Sequence, residues 1–292
     1  MARRRPPTVH GVCIVDKPAG VTSHDVVQNL RRRLGERRVG HAGTLDPDAT
    51  GVLVVAVGAA TRLLTFVGGR EKRYTAEVVL GVETDTLDAA GVVTARHEMG
   101  PVDLEEVRRV VAEQLTGPIM QVPPMVSALR VDGRRLHQLA REGVEVEREA
   151  RPVTVHDFAV IDEVAPGVLS IEVTCSAGTY VRSLADDLGR LLGGGAHLRN
   201  LRRTAIGSFT EERAETPEAC PLLPVATAVE QLASVTVDEV TADRVRLGQV
   251  LERFEGDGPW AVFDEAGDLL AVYDVFRDRG VKPAVVLVTG DR

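Results

Sequence analysis

Residues 40–57 read Gly40-His41-Ala42-Gly43-Thr44-Leu45-Asp46-Pro47-Asp48-Ala49-Thr50-Gly51, followed at once by the apolar run Val52-Leu53-Val54-Val55-Ala56-Val57. The apolar run predicts a buried strand. The loop before it contains three glycines, which adopt backbone conformations that other residues avoid. Asp46 is pushed toward extended geometry because a proline follows it. These residues alone leave two interpretations open: a carboxylate displayed to a substrate at the mouth of a strand, or an ordinary surface turn.

The length and composition of the chain are typical of a globular protein with one large and one small domain. It has 292 residues, of which 44% are hydrophobic and 27% charged. The three cysteines are far apart in sequence and form no CxxC motif, which favours a reducing compartment and no structural zinc. The first residues lack the apolar segment of a signal peptide, and no apolar run approaches the ~20 residues of a membrane span. We therefore expect a cytoplasmic protein that does not bind membranes.

The charge of the chain is distributed unevenly. The formal net charge is −8, but residues 1–75 contain 13 basic and 6 acidic residues, whereas residues 211–292 contain 8 basic and 17 acidic ones. A local basic field attracts a polyanion even on an acidic protein, because salt screens charges beyond about 8–10 Å. The charge pattern leaves open a nucleic-acid surface or a merely solvated, arginine-rich helix face.

Local patterns predict the elements that surround the opening loop. Residues 11–20 indicate a short strand that ends in a turn, and residues 22–25 offer N-cap residues for a helix that runs to about Leu34 and stops at Gly35. Arginines cluster near the end of this helix, where they suit the helix dipole or could hold phosphates: Arg31, Arg32, Arg33, Arg37 and Arg38. Further strands are predicted near residues 74–81, 151–161 and 168–175, with a helix over residues 104–115. Residues 84–91 lack the ligand ladder of a cation loop, so we expect a turn and no metal.

Two later stretches contain residues that a purely structural role explains poorly. Thr179 is a fair N-cap, which would place Tyr180 and Arg182 in the first turn of a helix. A cation there opposes the helix dipole, so Arg182 predicts an anionic partner, either a phosphate or a buried carboxylate. Tyr74 directly follows Lys72 and Arg73, an arrangement that suits stacking on a base beside its phosphate; an ordinary strand tyrosine is the alternative.

The C-terminal part of the chain differs in composition from the rest. A proline-rich, acidic stretch precedes several short strands separated by turns, which predicts a small all-β unit. We therefore expect a large domain over residues 1–234, which includes a linker at 211–234, and a second domain over residues 235–292.

The opening loop, residues 40–53, closely resembles the signature loop of TruB-type tRNA pseudouridine synthases. Four further stretches match this family in the same order along the chain: residues 15–25, 72–74, 178–189 and 196–204. Together the five motifs cover roughly residues 11–210. The resemblance implies an α+β pseudouridine-synthase fold, with a mixed, largely antiparallel central sheet flanked by helices and a small C-terminal PUA-like β-barrel. The acidity of the last domain argues against strong RNA contact there.

The resemblance also implies a reaction and the residues that perform it. The family converts the uridine at position 55, in the T-arm of tRNA, to pseudouridine as a monomer, without a cofactor or a metal. By position Asp46 is the catalytic aspartate, and Arg182 is its partner, expected to keep it ionised. The other matching positions imply base stacking for Tyr74, pocket contacts for Tyr180 and Leu201, a hold on the flipped nucleotide for His41, and structural support of the loop for Lys17.

Other functions remain to be weighed against this one. An RNA-binding or tRNA-folding module would have no use for the trio Asp46, Tyr74 and Arg182. A phosphate-binding enzyme is disfavoured because no Gly-Lys-Ser/Thr follows a strand. A pseudouridine synthase acting on ribosomal or guide-selected RNA is a third alternative, and the lack of long basic tails favours tRNA. Val126 departs from the family pattern, which has an aromatic residue there.

Overall fold

In the computed structural model, which describes residues 6–127, 129–131, 133–144, 146–277 and 280–287, a large mixed sheet carries the candidate site. The strands are β1 (Gly11–Lys17), β2 (Val39–His41), β3 (Thr50–Val57), β4 (Lys72–Leu80), β5 (Val82–Thr84), β6 (Val93–Arg96), β7 (Gly117–Gln121), β8 (Arg130–Val131), β9 (Arg134–Arg135), β10 (Arg151–Ala165), β11 (Val168–Cys175), β12 (Ala196–Ile206), β13 (Phe209–Thr210), β14 (Ala233–Val237), β15 (Leu251–Glu252), β16 (Trp260–Asp264), β17 (Leu269–Phe276) and β18 (Gly280–Val286). The helices are α1 (Ser23–Leu34), α2 (Leu64–Gly68), α3 (Leu104–Val110), α4 (Leu136–Arg141), α5 (Val181–Leu191) and α6 (Glu239–Arg246). Shorter helical turns are 3₁₀ at Gly58–Leu63, Glu211–Arg213 and Val225–Val229 and π at Val111–Leu115.

The main sheet runs in the order β1-β3-β12-β4-β11-β10-β7, with β2 beside β3 and β13 beside β12. Neighbouring strands are antiparallel except β3 and β12, which are parallel. The expectation of a mixed, largely antiparallel sheet flanked by helices is confirmed. Because β3 and β12 lie side by side at the centre, the loop that leads into β3 is brought against a strand about 150 residues further along the chain.

The central position of β3 explains its uninterrupted apolar sequence. Alternate residues point to opposite faces of a strand, and both faces of β3 are covered: Val52 and Val54 belong to one hydrophobic cluster, Leu53 and Val55 to another. Helix α1 covers the second face. It begins after Thr22, whose side chain accepts from the main-chain N–H of Asp25, and it ends at Gly35 in the left-handed conformation, as predicted.

Helix α5 begins later than the sequence pattern predicts. Thr179 is not its N-cap, because the helix starts at Val181 and Tyr180 has extended geometry. The reason is a tertiary contact: the buried Gln121 side chain accepts from the Tyr180 N–H at 2.8 Å and donates to its carbonyl at 3.1 Å. Tyr180 therefore lies outside the helix, while Arg182 remains in the first turn.

The C-terminal strands form a second sheet in the order β14-β16-β17-β18-β15. The expectation of an all-β unit is wrong in one respect, since α6 packs against this sheet. Asp238 caps the helix by accepting from the Thr241 N–H, and Ala242 and Val245 are buried at helical spacing. Its one other apolar residue, Val240, is 74% exposed, so the apolar face of the helix is too short to give a clear helical pattern.

The two sheets share a hydrophobic cluster. Leu63 and Val67, which follow β3, pack in this cluster with Ala261 and Val272 of the second sheet. The smaller sheet thus buries apolar surface against the larger one, as a unit of its size needs for stability. None of the helices in the described ranges is long and apolar enough to cross a membrane, and all three cysteines are free and buried.

We predict that Leu63→Ala lowers the free energy of unfolding by about 2–5 kcal/mol, because the fully buried side chain leaves a cavity between the two sheets. Urea denaturation measures the change. Leu247→Ala is the matched control: Leu247 is 75% exposed and should shift stability by less than about 0.5 kcal/mol. Equal effects of the two changes would show that the shared cluster does not stabilise the fold.

Candidate active site

A cavity of about 80 Å³ opens where four segments of the large sheet region meet. Its lining comprises Asp46, Pro47, Asp48 and Ala49 before β3, Asp88, Ala89 and Ala90 between β5 and β6, Arg182 of α5, and Leu198, Arg199, Asn200 and Leu201 of β12. Three residues singled out from the sequence, Asp46, Arg182 and Leu201, therefore reach one cavity.

The loop that carries Asp46, residues 42–49, is held at its end by Lys17. This lysine is completely buried. Its ammonium group donates to the carbonyls of Pro47 at 2.9 Å, Pro18 at 2.8 Å and Val21 at 2.7 Å. Burial lowers the pKa of Lys17 to about 8, although nearby carboxylates oppose the shift. The contact with Pro47 fits the supporting role that the family resemblance implies.

The middle of the Asp46 loop is held by Ser23, which sequence reasoning missed. The buried Ser23 hydroxyl donates to the Leu45 carbonyl at 3.1 Å and accepts from the Leu45 N–H at 2.9 Å. Both main-chain groups of the residue before Asp46 are thereby paired with one side chain. The position of Ser23 in the first turn of α1 gave no signal of this, because serine is common there for local reasons.

Arg182 has the anionic partner that its place in the helix predicts, and the partner is a carboxylate. Its guanidinium is 4% exposed and its Nε lies 3.0 Å from Oδ2 of Asp46. The two terminal nitrogens donate to the carbonyls of Thr86 at 2.6 Å and Val126 at 2.8 Å. All three guanidinium nitrogens therefore have a partner, which fixes the orientation of the Arg182 side chain. The Asp46 carboxylate is held at the cavity wall by the same contact.

The charge of Arg182 does not outweigh the effect of burial on Asp46. Desolvation raises the pKa of Asp46 above its usual value, the Arg182 charge lowers it, and the neighbouring Asp88 carboxylate raises it again. The family resemblance implied only the lowering effect. The structure adds two opposing causes, and the Arg182 charge is the largest effect that favours the ionised form of Asp46.

Asp88 is a second residue that sequence reasoning missed. Residues 84–91 form the expected turn, but the turn reaches into the cavity and places Asp88 Oδ2 3.6 Å from Arg182 Nε. The other carboxylate oxygen accepts from the Thr86 hydroxyl at 2.6 Å and the Ala90 N–H at 3.1 Å. No local pattern could reveal this, because the contact joins residues 94 positions apart.

The remaining predicted residues surround the cavity at different distances. Tyr74 is buried in a cluster with Leu45 and Ala49, and Leu201 packs against that cluster. Burial raises the pKa values of Tyr74 and Tyr180, and the charge of Asp46 contributes to both shifts. Neither tyrosine lines the cavity of Asp46, and Tyr74 lines a separate cleft together with Arg73 and Thr75.

His41 is not brought into the cavity lining. It lies on β2, where burial lowers its pKa and the charge of Arg203 lowers it further. Asp48 is exposed at the cavity rim, two residues from Asp46. No group of three or more metal-ligating His, Cys, Asp or Glu side chains occurs among the residues that the structure describes. The substrate roles expected for His41 and the other side chains stay predictions.

We predict that Arg182→Met raises the pKa of Asp46 further, because the substitution removes the largest effect that favours the anion. Carboxyl ¹³C NMR titration measures it, with the Asp46 signal assigned by its loss in Asp46→Asn. Arg190→Met is the control, since Arg190 pairs with Asp186 on the same helix and should leave the Asp46 titration unchanged. An unchanged or lower pKa in Arg182→Met would contradict the proposed balance.

Comparisons with known proteins identify the family of the chain. Residues 31–181 match the model of the TruB family pseudouridylate synthase N-terminal domain, and residues 182–220 match the tRNA pseudouridylate synthase B C-terminal domain. The chain is 46% identical over 281 residues to the tRNA pseudouridine synthase B of Arthrobacter sp. (strain FB24), covering 90% of this chain and 92% of that protein. It is also 46% identical to the corresponding protein of Rhodococcus jostii (strain RHA1), over 95% and 93% of the two chains.

Solved structures show the same fold. A chain of an H/ACA RNP bound to a substrate RNA containing 2′-deoxyuridine superposes with a TM-score of 0.71 at 26% identity, covering 97% of this chain and 86% of that one. A chain of a Cbf5-Nop10-Gar1 complex gives a TM-score of 0.72 at 27% identity, covering 94% and 83%. With the family model matching about half of the chain and close relatives spanning nine-tenths of it, the protein belongs to the TruB family of pseudouridylate synthases.

Proposed function

We propose that this protein isomerises the uridine at position 55, in the T-arm of tRNA, to pseudouridine. The observation that carries the proposal is the Asp46 carboxylate, held at a cavity wall by the buried Arg182 guanidinium in a TruB-family fold. The reaction breaks the N1–C1′ bond, turns the uracil and joins C5 to C1′, with loss of the C5 proton and gain of a proton at N1. Atoms and electrons balance within the nucleotide, so no cofactor is required.

Asp46 is the proposed catalytic residue. When the N1–C1′ bond breaks, its electron pair stays with the uracil, and C1′ becomes electron-deficient. A carboxylate fixed beside C1′ supplies the negative charge that this carbon needs. The Arg182 contact orients the carboxylate and favours its ionised form, and Asp88 approaches the same Arg182 nitrogen, Nε.

The residues around Asp46 suit a base that has left the helical stack. A nucleotide inside an RNA stem or loop must turn out to reach a carboxylate at the bottom of a cavity. The Tyr74 ring lies in the apolar cluster beside the loop and is proposed to stack on the base, with Leu201 as the opposite wall. Tyr180, directly before α5, and His41 on β2 are proposed to bound the site.

The arginines in the last turn of α1 and directly after it divide into two groups by their hydrogen bonds. Arg31 donates to the Val39 carbonyl, and Arg33 donates to the Glu218 and Cys220 carbonyls, so both stabilise the fold. Arg32, Arg37 and Arg38 are exposed. We propose that the exposed group contributes to the RNA surface, because phosphates bind where arginines are free to reach solvent.

The names and sequence identities of the known relatives bear on which RNA is the substrate. The curated relatives at 46% identity are named for tRNA, whereas the H/ACA chains share 26–27% identity with this one, which supports tRNA over another RNA.

We propose that residues 1–234 form the catalytic domain and 235–292 a PUA-like domain, and that the protein acts as a monomer in the cytoplasm, where tRNA is modified.

We predict that Asp46→Asn reduces pseudouridine formation by at least about 10³-fold, because the amide cannot supply the negative charge. Tritium release from tRNA labelled with 5-³H-uridine measures the reaction, and filter binding should show an unchanged affinity for tRNA. Asp48→Asn makes the same chemical change two residues away and should retain most of the activity.

The same assay tests the substrate assignment. A transcript with cytidine at position 55 should release no tritium. Release from this transcript would refute position 55, and full activity of Asp46→Asn would refute the catalytic role of Asp46.

We predict that Arg32→Gln combined with Arg37→Gln weakens tRNA binding and flattens the dependence of affinity on salt, by a slope of about one for each phosphate that the protein no longer binds. Binding measured between low and high salt gives the slope. Arg109→Gln is the control, because Arg109 is already paired with Glu106 and Glu113. A salt slope equal to the wild-type value would exclude these arginines from the RNA surface.

A further inference from the structure

Arg203, near the end of β12, is a buried cation that the proposed mechanism has not used. It is 1% exposed. Its Nε donates to the Val52 carbonyl at 2.7 Å, and its terminal nitrogens donate to the carbonyls of Gly43 at 3.2 Å and Thr44 at 3.5 Å. One guanidinium therefore holds both the start of the Asp46 loop and the strand that follows the loop.

The same side chain is a neighbour of Tyr74. Arg203 and Tyr74 are directly opposite in the antiparallel register of β12 and β4, and side chains at such positions leave the sheet on the same face. The charge of Arg203 lowers the pKa of Tyr74 against the larger, raising effect of burial. Arg203 thus binds the loop of one proposed site residue and lies across the strand pair from another.

The charge of Arg203 has no carboxylate partner in the described part of the chain. Lys72, whose ammonium donates to the Gly68 and Arg70 carbonyls, lies beside it. Both side chains approach Gly43, where an added Cβ would be 3.6 Å from Lys72 and 3.7 Å from Arg203. Buried cations are normally paired with anions because an uncompensated charge is unfavourable in the interior. Hydrogen bonds to main-chain carbonyls would not by themselves require two buried cations, Lys72 and Arg203, at this place.

We propose that Arg203 is a positioning residue for the isomerisation, which holds the Asp46 loop and Tyr74 in one arrangement and places an uncompensated positive charge behind the base. The proposal rests on the proposed function. When the N1–C1′ bond breaks, the electron pair remains on the uracil, and a fixed positive charge behind the stacked ring stabilises that electron-rich base. Arg203 acts through Tyr74 and the loop and does not touch the substrate.

Single-turnover kinetics on tRNA tests this role in four variants: Arg203→Met, Arg203→Lys, Tyr74→Phe and the double variant Arg203→Met with Tyr74→Phe. Arg203→Met should lower the rate constant about 100-fold, as small displacements of catalytic groups do, with the Kd for tRNA changed less than about threefold. Arg203→Lys keeps the charge but lacks the planar fork, and should recover part of the rate. In the Tyr74→Phe background Arg203→Met should cost less than about tenfold, because the two residues act together.

Arg202→Met is the matched control. Arg202 is adjacent on β12 but pairs with Asp16 and Glu211, and this variant should react at the wild-type rate. Thermal unfolding of every variant identifies any that fail to fold; if Arg203→Met does, Arg203→Lys with and without Tyr74→Phe carries the test.

Three results would overturn the proposal: rates of the Arg203 variants within threefold of wild type, equal losses of rate and of tRNA affinity, or fully additive effects of Arg203 and Tyr74. Failure of the wild-type protein to form pseudouridine would instead refute the proposed function. The two failures are therefore distinguishable in one assay.

Discussion

A buried guanidinium holds a carboxylate at the wall of the cavity, and the segments of the site are arranged around this pair. Arginine suits the position because it stays charged at any physiological pH and offers nitrogens in a planar fork. Arg182 uses the fork on Asp46 and on two main-chain carbonyls from distant segments. Without that charge, burial and the nearby Asp88 would both favour a neutral Asp46.

The Asp46 loop is ordered by side chains that pair with its main chain. A loop has no neighbouring strand or helical turn to satisfy its N–H and C=O groups, so other groups must do so when it is buried. Arg203 holds the Gly43 and Thr44 carbonyls, Ser23 pairs with Leu45, and Lys17 holds Pro47. These contacts leave the Asp46 side chain as the part of the loop free to face a substrate, which is how a rigid scaffold presents a reactive group.

Interactions between residues that are close in sequence made much of the fold predictable. The apolar run of β3 predicts burial on both faces, and the capping pattern at Thr22 and Gly35 predicts α1, because each depends on interactions within a few residues. The predictions failed where a distant group intervened or the local signal was short. Gln121 pairs with the main chain of Tyr180 and delays the start of α5. Helix α6 buries only a narrow face, so its apolar period was too brief to recognise.

The sequence by itself determined the candidate carboxylate Asp46, the unusual cation Arg182 in the first turn of α5, and the family motifs that contain them. Their pairing was anticipated only through the family resemblance, because the charge pattern left a phosphate and a carboxylate equally possible as the partner of Arg182. Tertiary structure alone decided that Asp88 joins this pair and that Ser23 and Arg203 hold the loop. All of these contacts link residues far apart in the chain, and those of Ser23 and Arg203 go to main-chain atoms, which every residue type possesses, so no sequence pattern records them.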